Sequence, residues 1–251
     1  MDIESLTHES LPEMAQIWQQ TLNWQPTNVQ VQQFQKLYEL IIEGNRQLNL
    51  TRITAPTEFW EKHLWDSLRG IAPKQEFIPS IERNRQIIDI GTGAGFPGVP
   101  IGLIFPSSQV TLLDATGKKI AFLETMLSAL AMKNGKTLLG RAEEIGQQRQ
   151  HRENYDVAVI RAVSNVSVCA EYALPLVKKG GFAVIYRGSW SEAENESLET
   201  AVSQLGGEIE LIEQFTTPLS QSMRHCLYLR KVGNTPISFP RGVGIPTQKP
   251  I

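Results

Sequence analysis

Asp89-Ile90-Gly91-Thr92-Gly93-Ala94-Gly95-Phe96-Pro97-Gly98 is the stretch that decides the fold. It follows a short apolar run, Gln86 to Ile90, and precedes another apolar segment. Glycines at this spacing permit a tight turn and let the backbone approach a ligand closely. A glycine loop at the carboxyl end of a first strand is where open α/β sheets bind nucleotides. The Lys-Ser/Thr pair of a phosphate-binding P-loop is missing, which argues against an NTPase.

Two cofactors compete for this loop. Gly93-x-Gly95-x-x-Gly98 fits the dinucleotide fingerprint in form, and an NAD-type oxidoreductase is the reading that follows from it. Asp89-x-Gly91-x-Gly93-x-Gly95 fits the acid-plus-glycines loop of S-adenosylmethionine enzymes. Charge separates the two. A dinucleotide loop points N–H groups at a pyrophosphate, and the Asp89 carboxylate just before the loop repels that dianion. S-adenosylmethionine carries no phosphate and has a cationic amino group, so the same acid helps. Pro97 also removes a backbone donor where a phosphate-binding helix would begin. The bland alternative makes Asp89 a strand-end cap.

Working outward, Gln109 to Asp114 is a second strand, and Thr137 to Gly140, Asp156 to Arg161 and Phe182 to Arg187 are the third, fourth and fifth. Ile120, Leu123, Leu127 and Leu130 keep helical spacing within Lys118 to Ala131. Glu171 to Lys179 reads as a helix stopped by Gly180-Gly181. Glu192 to Leu205 reads as another, ended by Gly206-Gly207. The last two strands, Glu208 to Phe215 and His225 to Lys231, have only Thr216 to Arg224 between them and so form an antiparallel pair. Strands alternating with helices mean a mainly parallel sheet covered on both faces. The expected fold is therefore α/β and Rossmann-like: a mainly parallel seven-stranded sheet with an antiparallel last strand, the outline of class I methyltransferases.

Upstream, Phe34, Leu37, Tyr38, Ile41 and Leu48 follow a helical rhythm, as do Phe59, Trp60, Leu64, Trp65 and Leu68. The polar Arg83–Arg85 region marks a boundary. The expected organisation is a helical N-terminal segment over 1–85, a cofactor-binding catalytic domain over 86–233, and a Pro-rich basic tail over 234–251, extended on the surface or on a partner. Pro236, Pro240, Pro246 and Pro250 fall in that tail.

Asp114 ends the second strand and can accept two hydrogen bonds from ribose hydroxyls. That device serves NAD and S-adenosylmethionine alike. Ala115 and Thr116 follow it into the same pocket. Arg141-Ala142-Glu143-Glu144, after the third strand, is placed to edge an adenine, although Glu143 also reads as an ordinary acid of a first helical turn.

Net charge is −2, which argues weakly against a polyanionic partner. Its distribution says more. Trp190 to Glu213 holds seven acids and no Lys or Arg, whereas Gln214 to Ile251 holds Arg224, Arg230, Lys231, Arg241 and Lys249 and no acid. A polyanion meets the second stretch, unless the clustering is only a solvated surface. The two cysteines, Cys169 and Cys226, suggest neither a disulfide framework nor a metal site. Met1 to Gln20 carries acids and no apolar run, so no signal peptide is expected. With no apolar stretch long enough for a membrane helix, a cytoplasmic protein is expected.

Several stretches together resemble the glucose-inhibited division protein B family of small-subunit ribosomal RNA methyltransferases. They are Asn49-Leu50-Thr51, His63-Leu64-Trp65-Asp66-Ser67, Asp89 through Pro100, Leu112-Leu113-Asp114, Gly117-Lys118-Lys119, Arg141 through Glu144, Ile160-Arg161-Ala162 and Arg224-His225. The similarity runs from about Phe34 to Lys231. It implies transfer of a methyl group from S-adenosylmethionine to a guanine N7 in 16S rRNA, on the naked RNA or the small ribosomal subunit, by an enzyme expected to be a monomer. It also implies cofactor contacts at Gly91, Phe96, Asp114, Ala115, Thr116, Ala142, Glu143 and Arg161. Many members of the family have Lys-Gly after the fifth strand; this chain has Arg187-Gly188, which removes a titratable lysine.

A neutral guanine N7 bears a lone pair and no proton, so no general base is required and no catalytic residue is assigned. Arg161, Arg187 and Arg224 are the positioning candidates, for phosphates, guanine O6 or the cofactor carboxylate. Phe96, Tyr186 and Trp190 are candidates to stack on an unstacked guanine, unless they are core. His63 and Asp66 read as a structural brace between the helical segment and the pocket. Beside this stand an oxidoreductase, for which no convincing catalytic set is found, a non-catalytic rRNA-binding assembly factor with a dead loop, and a methyltransferase of another substrate.

Overall fold

The computed structural model describes residues 9–71 and 84–251. The start of the Met1–Gln20 segment, and Arg83 of the expected boundary, lie outside the described residues. The seven strands are β1 (Gln86–Ile90), β2 (Gln109–Asp114), β3 (Gly135–Leu139), β4 (Tyr155–Arg161), β5 (Val177–Arg187), β6 (Gly207–Thr216) and β7 (Met223–Lys231). They form one sheet in the order β3-β2-β1-β4-β5-β7-β6. β1 to β5 pair in parallel, and β7 runs antiparallel between β5 and β6. The order reverses at β1, whose neighbours are β2 and β4. Such a switch point leaves a crevice beyond the strands' carboxyl ends.

The central strands are apolar because both faces are covered. Ile88, Ile90, Ala158, Ile160, Ala183 and Ile185 pack on one face against α8 (Val166–Ala173) and α9 (Glu192–Gln204). Ile87, Val110, Leu112, Val157 and Val159 pack on the other with α5 (Gly98–Ile104) and α6 (Gly117–Ala129). The second face also receives the N-terminal helices: α1 (Ala15–Leu22), α2 (Asn28–Leu48), α3 (Pro56–Phe59), a π-helical turn (Trp60–Trp65) and α4 (Asp66–Arg69). Trp18, Phe34, Leu37, Ile41, Phe59, Trp60, Leu64 and Trp65 are buried in that same cluster. At the start of α2 the Thr27 hydroxyl accepts from Gln30 N–H and the Gln30 side chain caps Thr27 in return, a reciprocal cap that satisfies two otherwise unpaired donors.

Two expectations are corrected. The helix before β5 is α8, which begins about five residues before the expected Glu171–Lys179, because every residue of α8 is buried and no polar face marks its period. Lys178 to Gly181 begin β5 instead. Gly180 takes φ +84° there, where the pairing with β4 shifts register between Tyr155 and Val157. The tail is not merely extended. It docks on the sheet's helical cover, with α7 (Ala142–Ile145) beneath it and a short helix α10 (Ile245–Gln248) of its own. Arg152 holds it by donating to the carbonyls of Thr235 (2.7 Å) and Phe239 (2.7 Å).

Cys169 and Cys226 are free and buried. No helix among the described residues is long and apolar enough to cross a membrane.

Candidate active site

The carboxyl ends of β1 and β2 open into a cavity of about 270 Å³. Its floor is Ile90, Gly91 and Leu113; Asp114, Ala115 and Thr116 follow from β2, and Ala142 and Glu143 come from the start of α7. Asp114 is nearly buried, and its carboxylate accepts from Gly93 N–H (3.0 Å) and from Thr116 N–H (2.9 Å). Each oxygen has a further lone pair for a ligand hydroxyl. Glu143 Oε1 accepts from the Tyr172 hydroxyl at 3.1 Å. Burial, and then the charge of Glu143, hold the Tyr172 phenol well above its ordinary pKa, so it stays a donor.

The other loop residues build the turn. Asp89 is fully buried, and its Oδ2 accepts from Thr92 Oγ1 (2.6 Å) and from Gly98 N–H (2.7 Å). The carboxylate therefore ties the loop to the first turn of α5 and does not line the cavity. Gly93 and Gly95 adopt φ of +59° and +99°, left-handed conformations that favour glycine. Phe96 lies face to face on the His63 ring, 4.4 Å between centroids. Gly93, Gly95 and Phe96 thus shape the loop rather than the cavity wall. Sequence reasoning passed over Gly140, Val163, Ser164, Tyr172 and Thr247, which also line it. Val163, Ser164 and Thr247 sit in loops or at a chain end and carry no periodic signal.

Burial pushes the Asp89 carboxyl up to about 6 from 3.8, although the bonds from Thr92 and Gly98 pull the other way; its Oδ1 is buried without a hydrogen-bond partner among the described residues. A carboxyl bound more tightly to its proton in the folded state stabilises the fold in acid, and that contribution is lost as pH rises from about 4 to about 6. The loss is about 3 kcal/mol. Asp89→Asn keeps an acceptor for Gly98 and never ionises. Its stability relative to the parent is therefore expected to improve by about 3 kcal/mol between pH 4 and 7. Urea unfolding across that range checks this; a parent–variant difference that does not change with pH refutes it.

A second cavity of about 250 Å³ lies beside the first and is lined by Lys62, His63, Asp66, Arg161, Thr217 and Arg224. The π-helical turn projects Lys62 and His63 here, and Asp66 follows it at the start of α4. Arg161, at the end of β4, donates to Asp66 Oδ2 (2.9 Å) and to the Lys62 carbonyl (3.0 Å). His63 meets Thr51 Oγ1 at 2.9 Å. Burial, with the nearby positive charges of Arg161 and Lys62, pulls His63 down to about 3, so the ring is neutral at physiological pH. His63 and Asp66 brace the N-terminal helices against β4 and the glycine loop. Glu61, on the same turn, accepts from Leu219 N–H (2.6 Å) and Ser220 N–H (2.9 Å) and so fixes the β6–β7 loop at the rim.

The three arginines differ. Arg161 lines the second cavity rather than the first. Arg187 is held by Glu194 and by the Ser164 carbonyl (2.9 Å) and lines neither. Arg224 is half-buried at the rim of the second cavity with an exposed flank. Among the aromatics, Tyr186 is buried and donates to the Ser67 carbonyl at 2.8 Å; Trp190 remains half-buried. The basic C-terminal stretch is largely neutralised within the fold: Arg230 pairs with Glu208 and Glu210, Lys231 with Glu153, and Arg241 with Glu171. Arg224 is the member that lines the second cavity.

Comparison with known proteins agrees with this geometry. Residues 30–226 match the GidB family, described as rRNA small subunit methyltransferase G. A protein of Trichormus variabilis named ribosomal RNA small subunit methyltransferase G is 69% identical over 241 residues, 96% of this chain and 98% of its own. One of the same name from Gloeobacter violaceus is 50% identical over 235 residues, covering 94% and 91%. Among solved structures, an antibiotic-resistance methyltransferase superposes with a TM-score of 0.51 at 15% identity, over 65% of this chain and 93% of that one. At that identity the likeness concerns the fold alone.

Proposed function

Because the chain belongs to the GidB family of rRNA small subunit methyltransferases G, we propose that it transfers a methyl group from S-adenosylmethionine to the N7 of one guanine in 16S rRNA. The observation that carries this reading is the pair of adjoining cavities. One is a nucleoside-sized crevice at the switch point, with Asp114 at the β2 end and Glu143 at the α7 start. The other is lined by three cations, Lys62, Arg161 and Arg224, at the end of the neighbouring strand.

The first cavity fits the cofactor by its donor set. It offers a carboxylate with spare lone pairs for ribose hydroxyls, an acid beside the adenine edge, and a glycine loop without a phosphate-binding lysine. The bound cofactor supplies an electrophilic methyl group. Every other part of the work falls to the chain's own residues. Asp114 and the Ala115-Thr116 segment hold the nucleoside, and Ala142 and Glu143 edge its base. The Asp89–Gly98 tie keeps the loop shaped. Arg161, held by Asp66 and the Lys62 carbonyl, has a fixed place in the wall of the second cavity. Arg224 and Lys62 meet phosphates or the guanine edge. No side chain has to remove a proton from N7, and none of the three cations is suited to touch it, since positive charge grows on the base during transfer. Rate enhancement then comes from alignment and exclusion of water, where oriented reactants supply up to about 7–11 kcal/mol.

In the same reading 1–85 is the N-terminal segment, helical in its described part over 9–71, 86–233 is the catalytic domain and 234–251 a docked tail, and the enzyme works in the cytoplasm as a monomer. The test is methyl transfer from labelled S-adenosylmethionine to small subunits, or to protein-free 16S rRNA, from a strain lacking the enzyme, with the label mapped. Label at a single guanine N7 is the expected result. Label elsewhere, or none although the cofactor binds, overturns the substrate assignment.

A further inference from the structure

The C-terminal tail reaches the cofactor cavity, and nothing in the sequence of the catalytic domain requires that. Thr247, on α10, lines the cavity together with Glu143 and Ala142. Glu143 Oε1 accepts from two donors, the Tyr172 hydroxyl (3.1 Å) in α8 and the Gly244 N–H (3.0 Å) in the tail. A base-edging carboxylate is thus held from both sides, once by the body of the domain and once by the chain end. Its Oε2 has no hydrogen-bond partner among the described residues and is left to accept from a ligand.

The docking is built in. Glu171 is fully buried, and the tail supplies its counter-ion: Arg241 donates from its backbone N–H (2.8 Å) and from Nε (2.9 Å), and its guanidinium pairs with the second oxygen. The Arg241 guanidinium also donates to the Lys249 carbonyl at 2.8 Å, which folds the last residues back around α10. Gly244 turns the chain with φ +79°, a left-handed conformation favoured for glycine. Pro240 packs on Gly146, just beyond α7, and Pro246 is buried.

We propose that residues 243–251 are a working wall of the cofactor site, a C-terminal clasp. Thr247 closes the nucleoside end of the cavity and Gly244 N–H sets the Glu143 carboxylate. Both are positioning residues. The inference rests on the S-adenosylmethionine reading of that cavity. It predicts that ligand occupancy and tail order are coupled, since a ligand that uses Glu143 favours the conformation in which Gly244 also holds it.

The experiment is calorimetric titration of S-adenosylhomocysteine into the full chain, a chain ending at Gly242, and Thr247→Trp. The shortened chain keeps the Arg241–Glu171 pair, and the tryptophan variant keeps that pair and the Gly244 N–H bond to Glu143, losing only the exposed Thr247 hydroxyl bond to the Gly244 carbonyl, while filling the cavity edge. Both are expected to bind at least about tenfold more weakly, with the ligand-free melting temperature of Thr247→Trp unchanged. Amide exchange at Gly244 in the full chain is expected to slow when the ligand is added. Equal affinity in Thr247→Trp and the full chain, or a Gly244 amide indifferent to the ligand, overturns the clasp; should the shortened chain melt, these two results decide alone. A full chain that binds no S-adenosylhomocysteine points instead to failure of the cofactor reading, which the variants then play no part in.

Discussion

Asp114→Ala is expected to weaken S-adenosylhomocysteine binding by about 100- to 1,000-fold and to leave the fold standing. The carboxylate performs two tasks. It accepts from Gly93 N–H and Thr116 N–H, at 3.0 and 2.9 Å, which binds the glycine loop to the β2 end. It also has the lone pairs that meet the ribose hydroxyls in the proposed complex. A hydrogen bond to a charged acceptor contributes about 1.5–3 kcal/mol, and about 1.4 kcal/mol is a factor of ten in affinity. Two ribose bonds lost at the lower figure come to about 3 kcal/mol, a little over 100-fold, and a loosened loop carries the loss toward the upper end of the stated range. The fold survives because the Asp114 backbone stays in β2, paired with Leu139, and its carbonyl still accepts from Gly140 N–H at 3.1 Å. Titration calorimetry and a ligand-free melt measure the two effects separately. An affinity within threefold of the parent removes Asp114 from the site. Asp114→Asn, which keeps one acceptor oxygen, is expected to fall in between.

That prediction rests on a residue whose position the sequence displays openly, and the reason is geometric. A strand's carboxyl end is legible wherever an apolar run stops at a polar residue, so Asp114 and the following Ala115 and Thr116 fall where they are expected. The glycine loop is legible too, yet its acid is easily misplaced. A carboxylate next to glycines suggests a ligand contact, but Asp89 alternates to the face of β1 that looks into α5, and it serves Thr92 and Gly98 instead. Phe96 similarly packs on His63, a contact between positions far apart in sequence that no local pattern announces. The helix before β5 was obscured for the opposite reason. Val166 to Ala173 is buried all round, so it shows no amphipathic period, while the Lys-Lys-Gly-Gly that follows imitates a helix end. The charge of the C-terminal stretch was legible as composition only. Its meaning depends on partners such as Glu171 and Glu153, which the fold brings from 70 residues or more upstream, and pairing leaves Arg224 to face a cavity. Thr247 gave no signal at all, because a tail's destination is set by where its anchors lie.

Gly98→Ala is expected to be a severely damaging single-methyl change in the loop, costing about 2–6 kcal/mol of stability and most of the cofactor affinity. A methyl group at Gly98 would lie 2.4 Å from Leu112 Cδ2, 2.8 Å from Asp89 Oδ2 and 2.9 Å from Asp89 Cβ. Leu112 is fully buried between the sheet and α5, so its side chain has little room to turn aside. Overpacking a core of this kind costs about 1–3 kcal/mol. The same methyl displaces the Asp89 carboxylate from the Gly98 N–H that it holds at 2.7 Å, and an impaired buried hydrogen bond adds about 1–3 kcal/mol. The energy is relieved by moving the start of α5 away from β2, and that movement carries the Thr92–Phe96 turn with it. Gly117→Ala is the control. A methyl group there meets nothing within 4 Å, and it lies in the first turn of α6, where alanine is the better helix former by up to about 1 kcal/mol. Both variants add one carbon at the first residue of a helix, Gly98 in α5 and Gly117 in α6, so a melt and a titration on each distinguish steric displacement from a general intolerance of change. Equal stability and affinity in the two variants would mean that the Asp89–Gly98 tie does not set the loop.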